Sequence, residues 1–192
     1  MTKFIDNFTS NMNKGSLFKE LFTNIKTTGA ITFSSKPLVN KMLSFADFNG
    51  AKVIVEMGGG DGSITQGILD RMDGDATLLV FEISEHFCEN LKKRFNEPNV
   101  EIICDSAENL DKYLNGRRAD LILSSLPFSL IPQPSRNLIY QKSSQYLRPN
   151  GSFIQICYSY LLKFQFSGYF KEIKTTFTFK NFPPVFIMVC NV

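Results

Sequence analysis

The sequence lacks several features that mark common classes of protein. It has no Trp and one His among its 192 residues, and its four Cys, at positions 88, 104, 157 and 190, show neither C-x-x-C nor any other metal-ligand spacing. No apolar run reaches the roughly 18 residues that a membrane-spanning helix needs. The Gly-Lys-Ser/Thr ending of a Walker-type phosphate loop is also missing. We therefore expect no bound metal, no membrane-spanning helix and no phosphate loop of that type.

The composition also bounds the size and the location of the protein. At 192 residues and 43% hydrophobic content, the chain is long enough for one well-filled domain and too short for two. Cys104 and Cys190 lie in apolar runs typical of strands, which predicts buried free thiols. Because the sequence also lacks a signal peptide, we expect a protein of the reducing cytoplasm.

Positive charge is concentrated towards the two ends of the chain. The net charge is +3, with six lysines against three acids in residues 1–48 and four lysines against one acid in residues 157–192. Residues 49–156 carry eleven basic and fourteen acidic side chains. Two interpretations stay open: the lysines are only solvated, or the flanks face an anionic partner such as a lipid surface or an RNA backbone.

The most informative segment is VIVEMGGGDG at residues 53–62. Ile54 and Val55 are β-branched within an apolar run, which predicts a central parallel strand, and residues 63–72 have the apolar spacing of a helix. The glycines between them let the backbone turn sharply and approach a ligand closely. An acid, Glu82, closes the next strand, and this arrangement is typical of a site for a nucleoside-containing cofactor.

The residues of this turn favour a cofactor without phosphate. A dinucleotide-binding turn reads G-x-G-x-x-G, whereas the glycines here alternate, at Gly58, Gly60 and Gly62. Glu56 and Asp61 border the turn, and carboxylates would repel a pyrophosphate but accept a positively charged ligand. S-adenosylmethionine has no phosphate and carries an ammonium, a carboxylate and a sulfonium. The turn therefore predicts S-adenosylmethionine as the cofactor.

These residues resemble the class I S-adenosylmethionine-dependent methyltransferases. The first motif of that family, E/D-x-G-x-G-x-G, is matched by Glu56, Gly58, Gly60 and Gly62. The match covers residues 50–156 and includes four motifs in the family's order.

The resemblance also implies roles for residues beyond the first motif. Glu82, with Ile83 beside it, is expected to bind the ribose hydroxyls of the cofactor at the end of the second strand. Asp105, followed by Ser106, is expected to hold the adenine amino group after the third strand. Asp120 is the acid that opens the fourth strand in this family.

The alternation of predicted strands and helices indicates an α/β fold. Strands are expected near residues 52–57, 77–82, 99–104, 119–124 and 152–158, and their helical connections argue for a parallel sheet covered on both faces. Thr175–Lys180 and Val185–Asn191 predict a C-terminal antiparallel hairpin, which the resemblance implies for a Rossmann-like methyltransferase sheet. We expect one domain over residues 1–192, made of an N-terminal helical extension (1–48), a cofactor-binding core (49–156) and a substrate-side segment (157–192).

Local signals predict three further features. Residues 1–27 have apolar residues at helical spacing, and this stripe packs either on its own domain or on a membrane surface. Ser34 or Ser35 is expected to cap a helix over Lys36–Phe45 with Pro37 in its first turn. Arg148–Gly151, with the sequence Arg-Pro-Asn-Gly, predicts the end of the helix before the fifth strand.

The segment after the predicted fourth strand lies at the edge where open α/β sheets bind ligands. It resembles the Asn-Leu-Pro-Tyr/Phe motif of rRNA adenine dimethylases, which implies that Ser125, Pro127 and Phe128 lie next to the substrate. In that family an amide or acid side chain and a backbone carbonyl accept hydrogen bonds from the target amine, and the aromatic ring stacks on the base. Ser125 replaces the Asn and has no amide oxygen, which weakens the adenine interpretation.

Short motifs outside the core resemble the bacterial phospholipid N-methyltransferases. They are the segments at residues 29–35, 125–127, 147–151 and 181–184. The resemblance implies methylation of the amine of phosphatidylethanolamine, with an amine-bearing lipid as substrate and peripheral contact with an anionic membrane. The sequence indicates no obligate protein partner. An RNA adenine N6-methyltransferase, a small-molecule methyltransferase and a non-catalytic cofactor-binding protein stay open as alternatives.

Aromatic residues are dense in Phe153–Phe170, which holds seven aromatic side chains and one charge, Lys163. The part that is not core either forms an interfacial surface or reflects a general bias of a chain with 19 Phe. We expect the single histidine, His86, to be exposed at a helix start and do not assign it as a general base. Tyr140, Tyr158 and Tyr160 are unplaced candidates for that role.

Overall fold

Seven strands form one mixed sheet in the computed structural model, which describes residues 35–179 and 184–192. These residues belong to one compact unit, Phe33–Val192. The strands are β1 (Val53–Met57), β2 (Thr77–Phe81), β3 (Val100–Ile103), β4 (Ala119–Ser124), β5 (Leu147–Cys157), β6 (Glu172–Thr178) and β7 (Val185–Asn191). The helices are α1 (Lys36–Leu43), α2 (Ser63–Leu69), α3 (Glu85–Arg94), α4 (Leu110–Leu114), α5 (Gln133–Tyr146) and α6 (Leu162–Phe166), with a 3-10 turn at Ala107–Asn109 before α4.

The order of the strands determines where a ligand can bind. The order is β3-β2-β1-β4-β5-β7-β6, in which the first five strands are parallel. Strand β7 pairs antiparallel with both β5 and β6, so the predicted parallel sheet with a C-terminal antiparallel hairpin is confirmed. The chain reverses its direction of winding between β1 and β4, and ligands bind beyond the carboxyl ends of such strands.

Both faces of the sheet are covered, which explains why its central strands read as long apolar runs. All five residues of β1 are buried. On one face, apolar side chains of α1 and α2 pack with those of β1, β2, β4 and β5 in a single cluster. On the other face, the rings of Tyr140, Phe153, Phe166 and Phe170 pack against one another.

Helix α1 begins with the predicted cap. Ser35 Oγ accepts a hydrogen bond from the backbone N of Leu38 at 3.3 Å, and Pro37 lies in the first turn. The helix ends at Leu43, two residues before the predicted Phe45.

The segment Arg148–Gly151 corrects one prediction. It does not precede the fifth strand but lies within β5, which runs from Leu147 to Cys157. Leu147 pairs with Ala119 and Ser152 pairs with Leu121, so the segment bulges out between these two pairs. The bulge passes close to β4, because a Cβ on Gly151 would lie 2.7 Å from the carbonyl oxygen of Asp120, and Arg148 Nη1 pairs with Asp120 Oδ1 at 2.7 Å.

Asp120 therefore acts at the amino edge of the sheet, away from the glycine turn. Its Oδ2 accepts hydrogen bonds from the backbone N atoms of Lys52 and Val53, at 2.8 and 2.9 Å. Together with its pairing to Arg148, this ties the start of β1 to the start of β4 and to the bulge in β5.

The cysteines divide into two environments. Cys190 is buried as predicted, and so are Cys88 and Cys157. Burial raises the pKa of the Cys157 and Cys190 thiols to about 12. The prediction for Cys104 was wrong: this thiol is exposed, because it follows the end of β3 at the open edge of the sheet.

Several predictions lie outside the described residues. They are the helix in residues 1–27, all of the motif at residues 29–35 except Ser35, and most of the hairpin turn at residues 181–184. Within residues 35–179 and 184–192, no helix is both long and apolar enough to span a bilayer.

Candidate active site

The turn after β1, residues 58–62 and hereafter the glycine loop, is shaped by its alternate glycines. Gly58, Gly60 and Gly62 have φ angles of 89°, 51° and 78°, a region that other residues rarely adopt. A Cβ added at Gly60 would have no atom within 4 Å. The glycine loop therefore presents open space at Gly60, at the carboxyl edge of the sheet.

Glu82 holds the glycine loop in place. Its carboxylate is buried at the end of β2, where Oε2 accepts a hydrogen bond from Gly60 N at 2.9 Å and Oε1 accepts one from Ser84 N at 2.8 Å. Each carboxylate oxygen has two lone pairs, so both retain capacity for a ligand hydroxyl. Ile83 is half-buried beside it.

Glu56 is a buried acid with an unsatisfied oxygen. Its side chain is 1% exposed at the end of β1, and Oε2 accepts a hydrogen bond from Thr65 Oγ1 at 2.7 Å. Oε1 has no hydrogen-bond partner. Burial raises the pKa of Glu56 to about 8, and the hydrogen bond from Thr65 opposes this only in part.

Asp61, the second acid of the turn, stabilises the start of α2 instead. Its Oδ1 accepts a hydrogen bond from Ser63 N at 3.0 Å, and its Oδ2 accepts one from Ser63 Oγ at 2.8 Å. The side chain is exposed, and its negative charge lies next to the helix N-terminus, where it is favoured.

Asp105 follows β3 and accepts hydrogen bonds from its own turn and from α4. Its oxygens accept hydrogen bonds from Ser106 N at 2.7 Å, from Asn109 Nδ2 at 2.9 and 3.0 Å and from Tyr113 OH at 3.0 Å. Burial disfavours the ionised form, but the hydrogen bonds hold the pKa of Asp105 below its usual range. Ser106 Oγ accepts from Glu108 N at 3.2 Å and so caps the 3-10 turn. The predicted contact of Asp105 with adenine stays a prediction.

The segment after β4, Ser125–Pro132 and hereafter the β4 loop, lies directly against the glycine loop. Ser125 N donates to Met57 O at 3.0 Å, and Ser125 Oγ donates to Gly58 O at 3.0 Å. Leu126 O accepts two hydrogen bonds, from Phe128 N at 2.9 Å and from Gln155 Nε2 at 3.0 Å. The hydroxyl of Ser125 and the carbonyl of Leu126 are thus both engaged within the chain.

Phe128, which is predicted to lie next to the substrate, has its ring in the core. The side chain is 1% exposed, and its ring packs edge-on against Tyr140 and Phe166, with centroids 4.6 and 6.0 Å away. It is a core aromatic, because the β4 loop turns back onto α5 and α6. Pro127 is half-buried and its carbonyl accepts a hydrogen bond from Leu130 N at 2.8 Å.

The candidates for a general base differ in their surroundings. His86 is exposed in the first turn of α3, as expected, with a ring nitrogen 3.2 Å from Asn90 Nδ2. Tyr140 is fully buried, and burial raises the pKa of its hydroxyl further, which makes it a poor proton acceptor. Tyr158 and Tyr160 are exposed. In the part of the chain that the structure describes, no three His, Cys, Asp or Glu side chains cluster as a metal site.

Comparison with known families agrees with this geometry. The family model described as a methyltransferase domain matches residues 54–151, which contain β1 except Val53, β2 to β4, the glycine loop and the start of β5. The chain belongs to the methyltransferase family. It is a class I enzyme of that family with S-adenosylmethionine as its methyl donor, as the glycine loop predicted.

Two relatives show how far this methyltransferase resembles proteins of known activity. It is 30% identical over 146 residues to the ornithine lipid N-methyltransferase of Singulisphaera acidiphila, covering 73% of this chain and 76% of that protein. It is 36% identical over 78 residues to the ribosomal RNA small subunit methyltransferase A of Mycoplasma capricolum. That second match spans 41% of this chain and 28% of the relative's length.

The fold of the methyltransferase is shared with solved structures of low sequence identity. The magnesium protoporphyrin IX methyltransferase of Synechocystis PCC 6803, solved with bound SAM, superposes with a TM-score of 0.68 at 12% identity. The superposition covers 96% of this chain and all of the other. This likeness concerns the fold alone.

Two features of the site fit S-adenosylmethionine. Glu56 Oε1, which is buried and unpartnered, is an acceptor of the kind that an ammonium group requires. The open space at Gly60 allows the cofactor to pass close to the backbone. Glu56, Gly60 and Glu82 are therefore the residues that would hold the cofactor.

Sequence reasoning missed several residues that complete the site. Thr65 pairs with Glu56, and Asn109 and Tyr113 orient Asp105, but none of these belongs to a recognisable motif. Gln155 gave a usable signal, because it is a polar residue inside the apolar strand segment Phe153–Cys157.

Proposed function

We propose that this methyltransferase methylates the amine of phosphatidylethanolamine-type membrane lipids, working as a peripheral enzyme at the membrane surface. The observation that carries the proposal is an exposed aromatic patch at the carboxyl edge of the sheet. The patch consists of Tyr158, Tyr160, Leu161, Phe164, Phe177 and Phe179, which are between 42% and 78% exposed.

Four rings of the aromatic patch are connected through Phe186. Tyr160 lies 6.5 Å from Phe164 and 5.6 Å from Phe186, measured between ring centroids. Phe177 lies 4.9 Å from Phe186 and 4.7 Å from Phe179. Connected apolar patches of this kind mark interaction sites rather than isolated exposed residues.

The register of the strands puts the aromatic patch at the same edge as the cofactor residues. Tyr158 directly follows Cys157, the last residue of β5, which runs parallel to β4 and β1. Phe186 pairs with both Cys157 and Phe177. A lipid surface against the patch would therefore present its headgroups to the β4 loop.

The chemistry of the aromatic patch suits the interface of a bilayer. Tyrosine and phenylalanine place apolar rings at the headgroup level, and a lysine can extend its charge towards anionic lipid. Lys163 lies in the patch, with Nζ 5.7 Å from the ring centroid of Tyr160. The similarity to an ornithine lipid N-methyltransferase supports a lipid amine as the acceptor.

The site needs to orient two reactants and exclude water. S-adenosylmethionine supplies an electrophilic methyl group when bound. At the cofactor end, Glu82 holds the glycine loop and Glu56 bonds to Thr65 of α2, and the β4 loop bounds the acceptor end. Alignment of an amine lone pair with the methyl group in a water-poor site accounts for much of the rate that such transfers need.

A second candidate is an RNA adenine N6-methyltransferase, favoured by the 78-residue similarity to a ribosomal RNA methyltransferase. The β4 loop weighs against it. Ser125 donates to Gly58 O, Leu126 O already accepts two hydrogen bonds, and Phe128 is buried. The two acceptors and the stacking ring that would recognise an adenine are thus engaged elsewhere.

The test is a transfer assay with methyl-labelled S-adenosylmethionine. Vesicles containing phosphatidylethanolamine, a total lipid extract and total RNA are offered in parallel. We expect label in the amine lipid and none in RNA. Label confined to RNA, or no labelled lipid under conditions where the cofactor binds, would refute the proposal.

A further inference from the structure

Two unsatisfied side chains flank the β4 loop. Among the described residues, buried side-chain polar atoms without a partner are Glu56 Oε1, Arg136 Nε, Gln155 Oε1 and Thr175 Oγ1. Glu56 belongs to the cofactor end of the site. Gln155 and Arg136 both contact backbone carbonyls of the β4 loop, one at Leu126 and the other at Phe128.

Gln155 offers an acceptor at the edge where the lipid amine is proposed to arrive. It is fully buried in β5, level with Ser124 at the end of β4. Its Nε2 donates to Leu126 O at 3.0 Å and also to Ile156 O, and two acceptors on one side fix the orientation of the amide. Oε1 therefore faces away from them without a donor, which is costly for a buried group.

Arg136 offers donors next to the same loop. It lies in the first turn of α5, where its Nη1 donates to Phe128 O at 3.1 Å. Its Nε is buried and unpartnered, so part of the guanidinium fork is unused. A guanidinium fork pairs with carboxylate or phosphate oxygens in a bidentate way.

We propose that Gln155 and Arg136 form a two-point site for a zwitterionic amine headgroup. Gln155 Oε1 accepts a hydrogen bond from the methyl-accepting amine, and the Arg136 guanidinium binds the headgroup's anion, a phosphate or a carboxylate. This inference rests on the proposed function. It specifies that the site binds the amine and the anion of the substrate headgroup. Gln155 would also supply the amide oxygen that Ser125 lacks.

The two side chains bind nearby points of the same loop. They contact the carbonyls of Leu126 and Phe128, residues that lie at most about 7 Å apart because consecutive Cα atoms are about 3.8 Å apart. The hydrogen bond from Phe128 N to Leu126 O shortens this span further.

The test measures methyl transfer from labelled S-adenosylmethionine to each of three amine lipids in phosphatidylcholine vesicles. Phosphatidylethanolamine carries a phosphate, ornithine lipid carries a carboxylate, and stearylamine carries no anion. The variants are Arg136→Met and Gln155→Met. Their controls are Arg118→Met, at the amino edge of the sheet, and Gln141→Met, on the exposed side of α5. Cofactor affinity and thermal unfolding are measured for every variant.

We expect the wild type to prefer the zwitterionic lipids over stearylamine. Arg136→Met should reduce this preference roughly 10- to 100-fold, the effect of one lost charge-assisted contact. Gln155→Met should lower transfer to all three lipids about tenfold, with cofactor affinity unchanged. If Arg136→Met does not fold, Arg136→Lys keeps the charge without the fork and should give an intermediate preference.

The outcomes separate this site from the proposed function. An active wild type whose preference is the same in Arg136→Met and Arg118→Met contradicts the anion contact. Equal activity of Gln155→Met and Gln141→Met contradicts the amine contact. A wild type that binds cofactor but methylates none of the three lipids overturns the proposed function itself.

Discussion

At the scale of single residues, Glu56 shows how one buried carboxylate links stability to cofactor binding. Its pKa of about 8, raised by burial from 4.5, means that the cofactor-free folded protein holds a proton on Glu56 at neutral pH, which a bound ammonium group would displace, whereas the unfolded chain holds none. Its contribution to stability is therefore complete below pH 4.5 and is lost as the pH rises to about 8.

We predict that the free energy of unfolding of the cofactor-free protein falls by a few kcal/mol between pH 5 and pH 8 through this residue, at up to about 1.4 kcal/mol per pH unit. The measurement is urea unfolding at each pH for the wild type and for Glu56→Gln, whose amide does not titrate. An identical pH dependence in both proteins would show that Glu56 does not carry the effect.

Residue roles could be predicted where a motif fixes both type and position. Glu82 was placed by its distance from the glycine loop, and it does hold that loop. The prediction that Cys104 is buried was wrong, because its exposure depends on how the loop folds back after its strand. No local pattern encodes that direction.

At the scale of elements, substitutions of glycines can distinguish the cost of backbone strain from the loss of cofactor contact. Gly60→Leu places a bulky side chain in space that has no protein atom within 4 Å of the new Cβ. We predict loss of cofactor binding, with the unfolding free energy lowered only by the cost of a left-handed residue, about 1–2 kcal/mol.

Gly50→Leu is the matched control for Gly60→Leu. Gly50 has a φ of 68° and equally open surroundings, but it precedes β1 at the opposite edge of the sheet. Titration calorimetry should give wild-type cofactor affinity for Gly50→Leu and none for Gly60→Leu. Equal affinities in the two variants would mean that the cofactor does not pass Gly60.

Most elements could be predicted because the apolar strands and their connections follow local rules. The exception was β5, where Arg-Pro-Asn-Gly was interpreted as the end of a helix. The segment is a bulge inside the strand, stabilised by the pairing of Arg148 with Asp120 from β4. A contact between residues that are distant in sequence decided its structure, which is why periodicity missed it.

At the scale of the whole molecule, one edge of the sheet combines the cofactor residues, the β4 loop and the aromatic patch. The order β1-β4-β5-β7-β6 brings them together, since the parallel strands end, and β7 begins, at that edge. The sheet and the density of aromatic residues could be predicted from the sequence. Which aromatic rings are exposed could not be predicted, because core and surface rings alternate within the same segment.

Action at the membrane surface is tested most directly by comparing methyl transfer to phosphatidylethanolamine in vesicles with transfer to a water-soluble short-chain analogue. The variant Leu161→Ser/Phe164→Ser removes two of the most exposed side chains of the aromatic patch and leaves the cofactor residues in place. We predict that it loses most of its activity on vesicles while keeping wild-type activity on the soluble analogue. Equal activity of the variant and the wild type on vesicles, or an equal loss on both substrates, would contradict an enzyme that works at the membrane surface through this edge.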